Sequence, residues 1–524
     1  MTTEDALNIN FTGRLPLNLF MNILYFGLNI IVGLALVPFF LDTLGSTAYA
    51  LIPLATSITS YLDVLVTCIN TSVARFLTID IHSRNTAKAN TTFNTALFGT
   101  LIIVGFLIPI ALLIAWVSPD IFSTGTLPRL DIFLLFALIF ISVLITAWSA
   151  NFMTTLTAYN RFDYRNYVNI ARLGTQIILI LLLFTLISPS LVFVGLAYFV
   201  ASVIGLGFAY RYSRKVAPDL TISPKTASFK RFKEVGSLAV GEGANSLSWY
   251  LVATVALIIV NILFGAEQQT RYSMVTTWFG FILALSGLLI PLFVPMIFNY
   301  YARNNVEGMV KFCAFATKCM GVFFCLPIAL LCIFSSQIMT WWVGEEYADL
   351  SLLVWIVLTP LVVKVQQSCL TAITTAYLKV HIKALIGLGL GGINIALAYI
   401  LAIPCNLGVY GVAIAGAVTL FAMVGIVEPF YDAYLVKKSP LVFLKPMGLA
   451  LVCYAAIGFT GFAINRMVII DSMLEVIGVC GILSLIYLLL ATRVLFQKEE
   501  RKLIRECFPA KIRTHIPPWL LEET

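Results

Sequence analysis

Runs of about 20 or more apolar residues, each long enough to cross a bilayer, recur at 16–41, 48–73, 92–117, 130–154, 167–187, 190–210, 236–263, 271–297, 313–334, 350–374, 383–402, 408–434, 444–464 and 473–493. In lipid a spanning segment must satisfy its own backbone, which leaves helices or a closed barrel. These runs are continuously apolar rather than alternating, so they read as helices. The chain is therefore an all-α polytopic membrane protein with about 14 transmembrane helices. Composition agrees: 60% of residues are hydrophobic and 11% charged, against about 25% charged in soluble chains. Residues 1–10 are polar and hold Glu4 and Asp5. The first long run follows them, so no cleavable signal peptide is expected.

The net charge of +8 could suggest a nucleic-acid partner, but its placement argues for orientation instead. With the N-terminus cytoplasmic, 29 of the 33 Lys and Arg residues fall in inside loops and flanks. Three, Arg129, Arg271 and Arg466, fall outside, and Lys364 lies within a span. Such asymmetry is the positive-inside signature. It predicts a multi-pass protein of the cell (plasma or inner) membrane with both termini cytoplasmic and no nucleic-acid partner.

The chain also repeats itself. Pro109–Leu113 and Pro327–Leu331 both read Pro-Ile-Ala-Leu-Leu. Arg84-Asn85 pairs with Arg303-Asn304, Thr157-Ala158-Tyr159 with Thr375-Ala376-Tyr377, and Gly195-Leu196-Ala197 with Gly411-Val412-Ala413. These matches keep nearly one offset, so they point to a duplication of six spans. An even number of crossings makes the copies parallel, a geometry used by transporters. The expected organisation is a lobe over 1–215, a basic cytoplasmic linker over 216–235, a second lobe over 236–440, two further helices over 441–496 and a cytoplasmic tail over 497–524. The linker reads as a solvated segment that sets topology, or as a contact with anionic head groups. The tail, with Leu503, Ile504, Phe508, Ile512 and Trp519 among basic residues, reads as an interfacial amphipathic segment or as a partly ordered end.

The chemistry-bearing residues exclude much. Ten cysteines show no paired spacing and three histidines (His82, His381, His515) are scattered over loops and tail. Neither a metal site nor a catalytic constellation assembles from them, no cofactor is implied, and the short outside loops leave no room for a separate enzymatic domain. The chain reads as a non-enzyme.

Polar residues inside the spans form stripes at helical spacing. Span 1 carries Asn18, Asn22, Tyr25 and Asn29; span 2 carries Thr56, Ser60, Asp63, Thr67 and Asn70; span 7 carries Glu242, Asn245 and Trp249; span 10 carries Lys364, Gln367, Thr371 and Thr374. Each stripe alone is ordinary interhelical glue. Together they support a hydrated central cavity, with Asn22, Tyr25, Asn29, Asp63, Asn70, Arg172, Glu242, Asn245, Trp249, Lys364 and Gln367 as candidate lining. Amides, hydroxyls and aromatic faces suit sugar hydroxyls better than an inorganic ion. Two readings of the charges stand. Asp63 and Lys364 neutralise each other, or Lys364 and Arg172 meet an anionic substrate while Asp63 or Glu242 carries a coupling H+ or Na+. Glu428, beside Pro429, reads as interfacial or structural.

Several stretches resemble the O-antigen-type polysaccharide flippases of the multidrug/oligosaccharidyl-lipid/polysaccharide (MOP) exporter superfamily. They are 38–49 (PFFLDTLGSTAY), Val73-Ala74-Arg75-Phe76, Trp341-Trp342-Val343-Gly344-Glu345-Glu346-Tyr347, and Asn394-Ile395-Ala396-Leu397 followed by 408–413 (GVYGVA). The resemblance covers nearly the whole chain. It implies two V-shaped six-helix lobes opening alternately, as in MATE-like transporters. It implies a polyprenyl-diphosphate-linked oligosaccharide as cargo, moved outward for surface polysaccharide or glycan assembly, with a polymerase or glycosyltransferase as partner beside membrane lipids. The chain departs from the family in span 2, where Thr67-Cys68-Ile69-Asn70 replaces a glycine-rich ending. It departs again in span 7, where Val255–Val260 holds no acid and Glu242 is the substitute candidate. The alternatives are a MATE-like drug or cation antiporter, a fourteen-helix major-facilitator protein, whose loop signature Arg75–Thr92 lacks, and a non-transporting scaffold.

Overall fold

The structure is a computed structural model that describes residues 11–83, 85–377, 379–467, 472–498, 500 and 501. Arg84 and most of the predicted tail lie outside them. All elements among the described residues are helical. In chain order they begin with α1 (Phe11–Leu44), α2 (Ser46–His82), α3 (Thr86–Ile121), α4 (Arg129–Ala158), α5 (Phe162–Leu186), α6 (Leu191–Val216), α7 (Phe229–Ala253) and α8 (Val255–Ala302). They continue with α9 (Val306–Ile333), α10 (Ser335–Val343), α11 (Ser351–Leu358), α12 (Leu361–Gln367), α13 (Thr371–Ala376), α14 (Val380–Ala402), α15 (Gly408–Phe421), α16 (Glu428–Leu435), α17 (Leu441–Met467) and α18 (Met473–Val494). The tenth predicted span is thus three short helices, and a π-helical stretch, Ala422–Val427, joins α15 to α16.

Among the described residues, thirteen helical stretches are long and apolar enough to cross a membrane. The longest, Ala239–Ala302, has 64 residues, about three times what one crossing of a ~30 Å core needs and so enough for two crossings with overhang. It turns at Gly265, whose φ of 87° and ψ of 176° are not helical. Fourteen crossings, as expected, therefore remain.

Gly265 also makes the duplication visible in the backbone. Gly45, between α1 and α2, has φ 81° and ψ 165°, nearly the same conformation. Only glycine enters that region without strain. Forty residues beyond each glycine, Asn85 caps α3 and Asn305 caps α9. Asn85 accepts the Lys88 N–H at 2.9 Å and Asn305 the Gly308 N–H at 2.8 Å. This corrects the sequence pairing of Asn85 with Asn304. A left-handed residue, Asn304 at φ 54°, occupies the turn before the second cap, and the cap defines the backbone register. Further on, Tyr159 and Tyr377 end their helices with matching dihedrals, φ −92° and −81°. Arg161 N–H then bonds Leu156 O at 2.8 Å, and Lys379 N–H bonds Thr374 O at 3.0 Å, as the sequence alignment requires.

The helices gather into two compact units, Met1–Thr277 with Val380–Thr419, and Trp278–Lys379 with Leu420–Thr524. In the first, Leu77, Phe93, Phe152 and Val168 form one buried cluster and Cys68, Val73, Ala96 and Val235 another. In the second, Met309, Cys313, Leu370, Ile373 and Phe443 fill the core beside the α9 N-terminus.

The linker stays largely exposed, but its backbone is held by α3. Asn90 donates to Asp219 O at 2.9 Å and accepts from Thr221 N at 2.8 Å. Asn94 donates to Thr221 O at 2.7 Å and accepts from Ser223 N at 2.8 Å. Thr95 accepts from Ser228 N at 2.9 Å. One face of α3 thus supplies the hydrogen bonds that an extended linker backbone would otherwise take from water.

Candidate functional site

The first unit is organised around α7, which stops at Thr254 and resumes as α8. Ending a helix leaves carbonyls without intrahelical partners, and inside a membrane these must be satisfied by neighbours. Here Asn394 of α14 does so, while α2 adds second bonds to carbonyls that keep backbone partners. Tyr61 donates at 3.1 Å to Tyr250 O, which also accepts the Thr254 N–H at 3.0 Å, and Ser57 donates at 3.2 Å to Thr254 O, which also accepts the Leu257 N–H at 3.3 Å. Asn394 donates to Leu251 O at 2.9 Å and is itself held by Thr419 at 3.1 Å. Gly391 lets α14 approach, since a Cβ there would stand 2.6 Å from Leu251 Cβ. Discontinuous helices of this kind mark binding sites in transporters.

Toward the other end of the same α2–α7 seam lie two carboxylates. Asp63 on α2 is half-buried and accepts a 2.6 Å hydrogen bond from Thr67, one turn on. Glu242 on α7 is half-buried too. Gly243, next to Glu242, packs directly on Cys68 of α2, with a Cβ position 3.3 Å from its Sγ, and Asp63 lies five residues before Cys68 on α2. Asn245 and Trp249 follow on α7, both half-buried. The seam therefore brings together Asp63, Glu242, Asn245 and Trp249 of the candidates. It adds Tyr61 and Tyr250, whose rings meet edge-on at 6.0 Å.

Other candidates have structural partners. Asn22 accepts from Asn166 at 2.6 Å, binding α1 to α5. Asn70 is buried and donates to Ala147 O on α4 at 2.9 Å. Arg172 lays its aliphatic stem against Gly205 of α6, 3.5 Å from a Cβ position there. Tyr25 is half-buried and Asn29 exposed on α1. In the second unit Lys364 is half-buried on α12. Gln367 is wholly buried and donates to Asp432 of α16 at 3.1 Å.

Two features escaped the sequence reading. The first is Asp432, buried one turn beyond Glu428, which is itself buried and so structural rather than interfacial; the four-residue spacing of the two acids on one helix face was the available signal. The second feature is an ionic knot at the end of the α2–α7 seam. Arg231 pairs with buried Asp80 at 2.6 Å and donates to Thr92 at 2.9 Å and Glu234 at 2.9 Å. Thr92 donates to Asp80 at 2.6 Å, Lys88 stands 3.6 Å from Asp80, and the guanidinium lies 4.6 Å from the Phe76 ring centre. The signal for it was an acid, Asp80, inside an apolar helix end. Among the described residues no cluster of three or more His, Cys, Asp or Glu is placed to hold a metal.

No protein-family model matches the chain. An uncharacterized membrane protein of Bacillus subtilis (strain 168), EpsK, is 25% identical over 500 residues, which span 94% of this chain and 98% of that protein. Two solved structures of a multidrug resistance MATE family transporter of the MOP superfamily superpose on it at 14% identity. The outward-facing conformation has a TM-score of 0.60 and covers 84% of this chain and 98% of the transporter. The inward-facing conformation has a TM-score of 0.58 and covers 82% and 95%. The chain thus has the fold of MATE-family transporters of the MOP superfamily.

Proposed function

We propose that this protein is a membrane flippase for a polyprenyl-diphosphate-linked oligosaccharide, moving it from the cytoplasmic to the outer leaflet by alternating access for surface polysaccharide or glycan assembly. The observation that carries the reading is the α7 break: a discontinuous helix whose freed Leu251 carbonyl is met by Asn394, beside a seam with α2 that is rich in hydroxyls, amides and aromatic rings. Such a surface can exchange hydrogen bonds with sugar hydroxyls and stack on sugar faces. The lipid tail stays in the bilayer while the polar head crosses.

In this reading Asp63 and Glu242 are the coupling groups for H+ or Na+, since two intramembrane carboxylates on one seam are costly unless they serve transport. Lys364 and Arg172 meet the diphosphate. The two six-span copies, 1–215 and 236–440, act as the alternating lobes. The cell membrane is the site of action, with both termini cytoplasmic, and a polymerase or glycosyltransferase works beside the flippase.

The second reading, a drug or cation antiporter, is favoured by the multidrug transporters whose fold the chain shares. Purified protein reconstituted in liposomes with a fluorescent polyprenyl-diphosphate oligosaccharide separates the two. Protein-dependent flipping of the glycolipid supports the flippase. Proton-driven uptake of a small organic cation without glycolipid flipping replaces it with the antiporter.

A further inference from the structure

The second unit contains an open cavity of about 790 Å³, distinct from every residue assigned above. It lies between the first turns of α9, the first turns of α17 and the segment that follows α18. Its polar side is cationic: Lys311, Lys318 and Lys445 line it, with Glu500 the one acid among the lining residues. Lys318, with 13% of its side chain exposed, reaches Glu500 at 2.7 Å, and that carboxylate also accepts the Gln497 N–H at 2.8 Å. Lys311 pairs with Glu307 on the open side at 2.9 Å. Lys445 is exposed and has no ion pair among the described residues. The cavity therefore keeps a net positive charge.

The other side is apolar. Phe312 and Phe315 line it, with ring centres 6.0 Å apart. The helices carry that character onward, with Phe323 of α9 45% exposed and Val452 of α17 67% exposed. Lysines at helix ends above an exposed apolar flank match a molecule with an anionic head and hydrocarbon tails.

We propose that this cavity binds the phosphate of an anionic membrane lipid, through Lys311, Lys318 and Lys445, with the acyl chains lying along α9 and α17. The proposal does not depend on the identity of the transported cargo. The phosphate could equally belong to a soluble anion, and the test separates the sources. Full-length protein in detergent is titrated with phosphatidylglycerol, phosphatidylcholine or inorganic phosphate. Binding is read by native mass spectrometry for the lipids and by thermal shift for all three.

The expected result is tighter binding of phosphatidylglycerol than of phosphatidylcholine, no protection by inorganic phosphate, and weakening by salt. The double variant Lys311→Ala/Lys445→Ala alters two exposed side chains and should keep its lipid-free melting temperature. It should bind phosphatidylglycerol about 25-fold more weakly, at about fivefold per lysine near the surface. Equal binding of the two lipids, or a double variant that binds like the parent, overturns the proposal. So does inorganic phosphate protecting as well as the lipid, which would make the cavity a soluble-anion site.

Discussion

The Arg231 guanidinium stands 2.6 Å from the Asp80 carboxylate, and both side chains are buried, joining the last turn of α2 to the first turn of α7. Asp80 lies in the first expected lobe and Arg231 in the stretch expected to be linker, whose end the structure builds into α7. The pair fixes one end of the α2–α7 seam, and at its other end α2 is tied to α8 by Gln269, which donates to Ala50 O at 2.8 Å, and Thr270, which donates to Ser46 O at 2.7 Å.

Breaking that pair leaves a buried charge uncompensated, which typically costs about 3–5 kcal/mol. Arg231→Ala should lower the melting temperature in detergent far more than Glu234→Gln, whose half-exposed partnership contributes about 1 kcal/mol or less. Arg231→Lys should fall between them, because an ammonium cannot reproduce the fork that meets Asp80, Thr92 and Glu234 together.

Removal of an α3 amide should loosen the linker. Asn94→Ala leaves the Thr221 carbonyl and the Ser223 N–H without protein partners, a loss of about 1 kcal/mol per bond. Trypsin cleavage after the exposed Lys225 should then be several-fold faster than in the parent protein, because local opening exposes the chain. Limited proteolysis followed by mass spectrometry of the fragments checks this.

Glycine is required at 411 and dispensable at 389. A Cβ on Gly411 would stand 2.6 Å from Ala402 N and from the Leu401 carbonyl carbon, whereas nothing lies within 4 Å of one on Gly389. Backbone atoms cannot yield as a side chain can, so Gly411→Ala should destabilise by about 1–3 kcal/mol. Gly389→Ala, in a helix interior, should be neutral or stabilise by up to about 1 kcal/mol. Thermal unfolding of both variants measures the contrast.

Site and scaffold should separate by mutation. Asp63→Asn and Glu242→Gln should abolish transport while leaving the melting temperature unchanged, since neither carboxylate joins two helices by a hydrogen bond or ion pair among the described residues. Asn70→Ala, which removes the α2–α4 bond to Ala147 O, should reduce stability by about 0.6–1 kcal/mol and leave transport by the surviving folded protein intact. Parallel transport and unfolding assays distinguish the two behaviours.

Much of the architecture was written locally and could be read. Runs of apolar residues set the crossings, and Gly45 and Gly265 announce turns because their conformation excludes other residues. The repeat was legible too, although its register at Asn305 depends on a capping bond that the Arg-Asn dipeptide does not encode. The α7 break was not legible. Thr254 is neither Pro nor Gly, and the group that meets the freed Leu251 carbonyl, Asn394, lies 143 residues away in sequence. Asp80 and Arg231 are 151 residues apart, and Arg231 sits among linker lysines, so its burial has no local signature. Of the polar stripes, Asn22 and Asn70 proved to have helix-joining partners, while Asp63 and Glu242 share one seam. Spacing alone could not sort them, because both roles put polar residues on one helix face.

The sidedness of lipid-linked glycan in membranes with and without this chain tests the flippase reading most directly, with Asp63→Asn and Lys364→Ala variants at matched protein levels. The account predicts that loss of the chain, or either substitution, strands the glycan on the cytoplasmic face. Unchanged sidedness in its absence, with altered resistance to small organic cations, would contradict it.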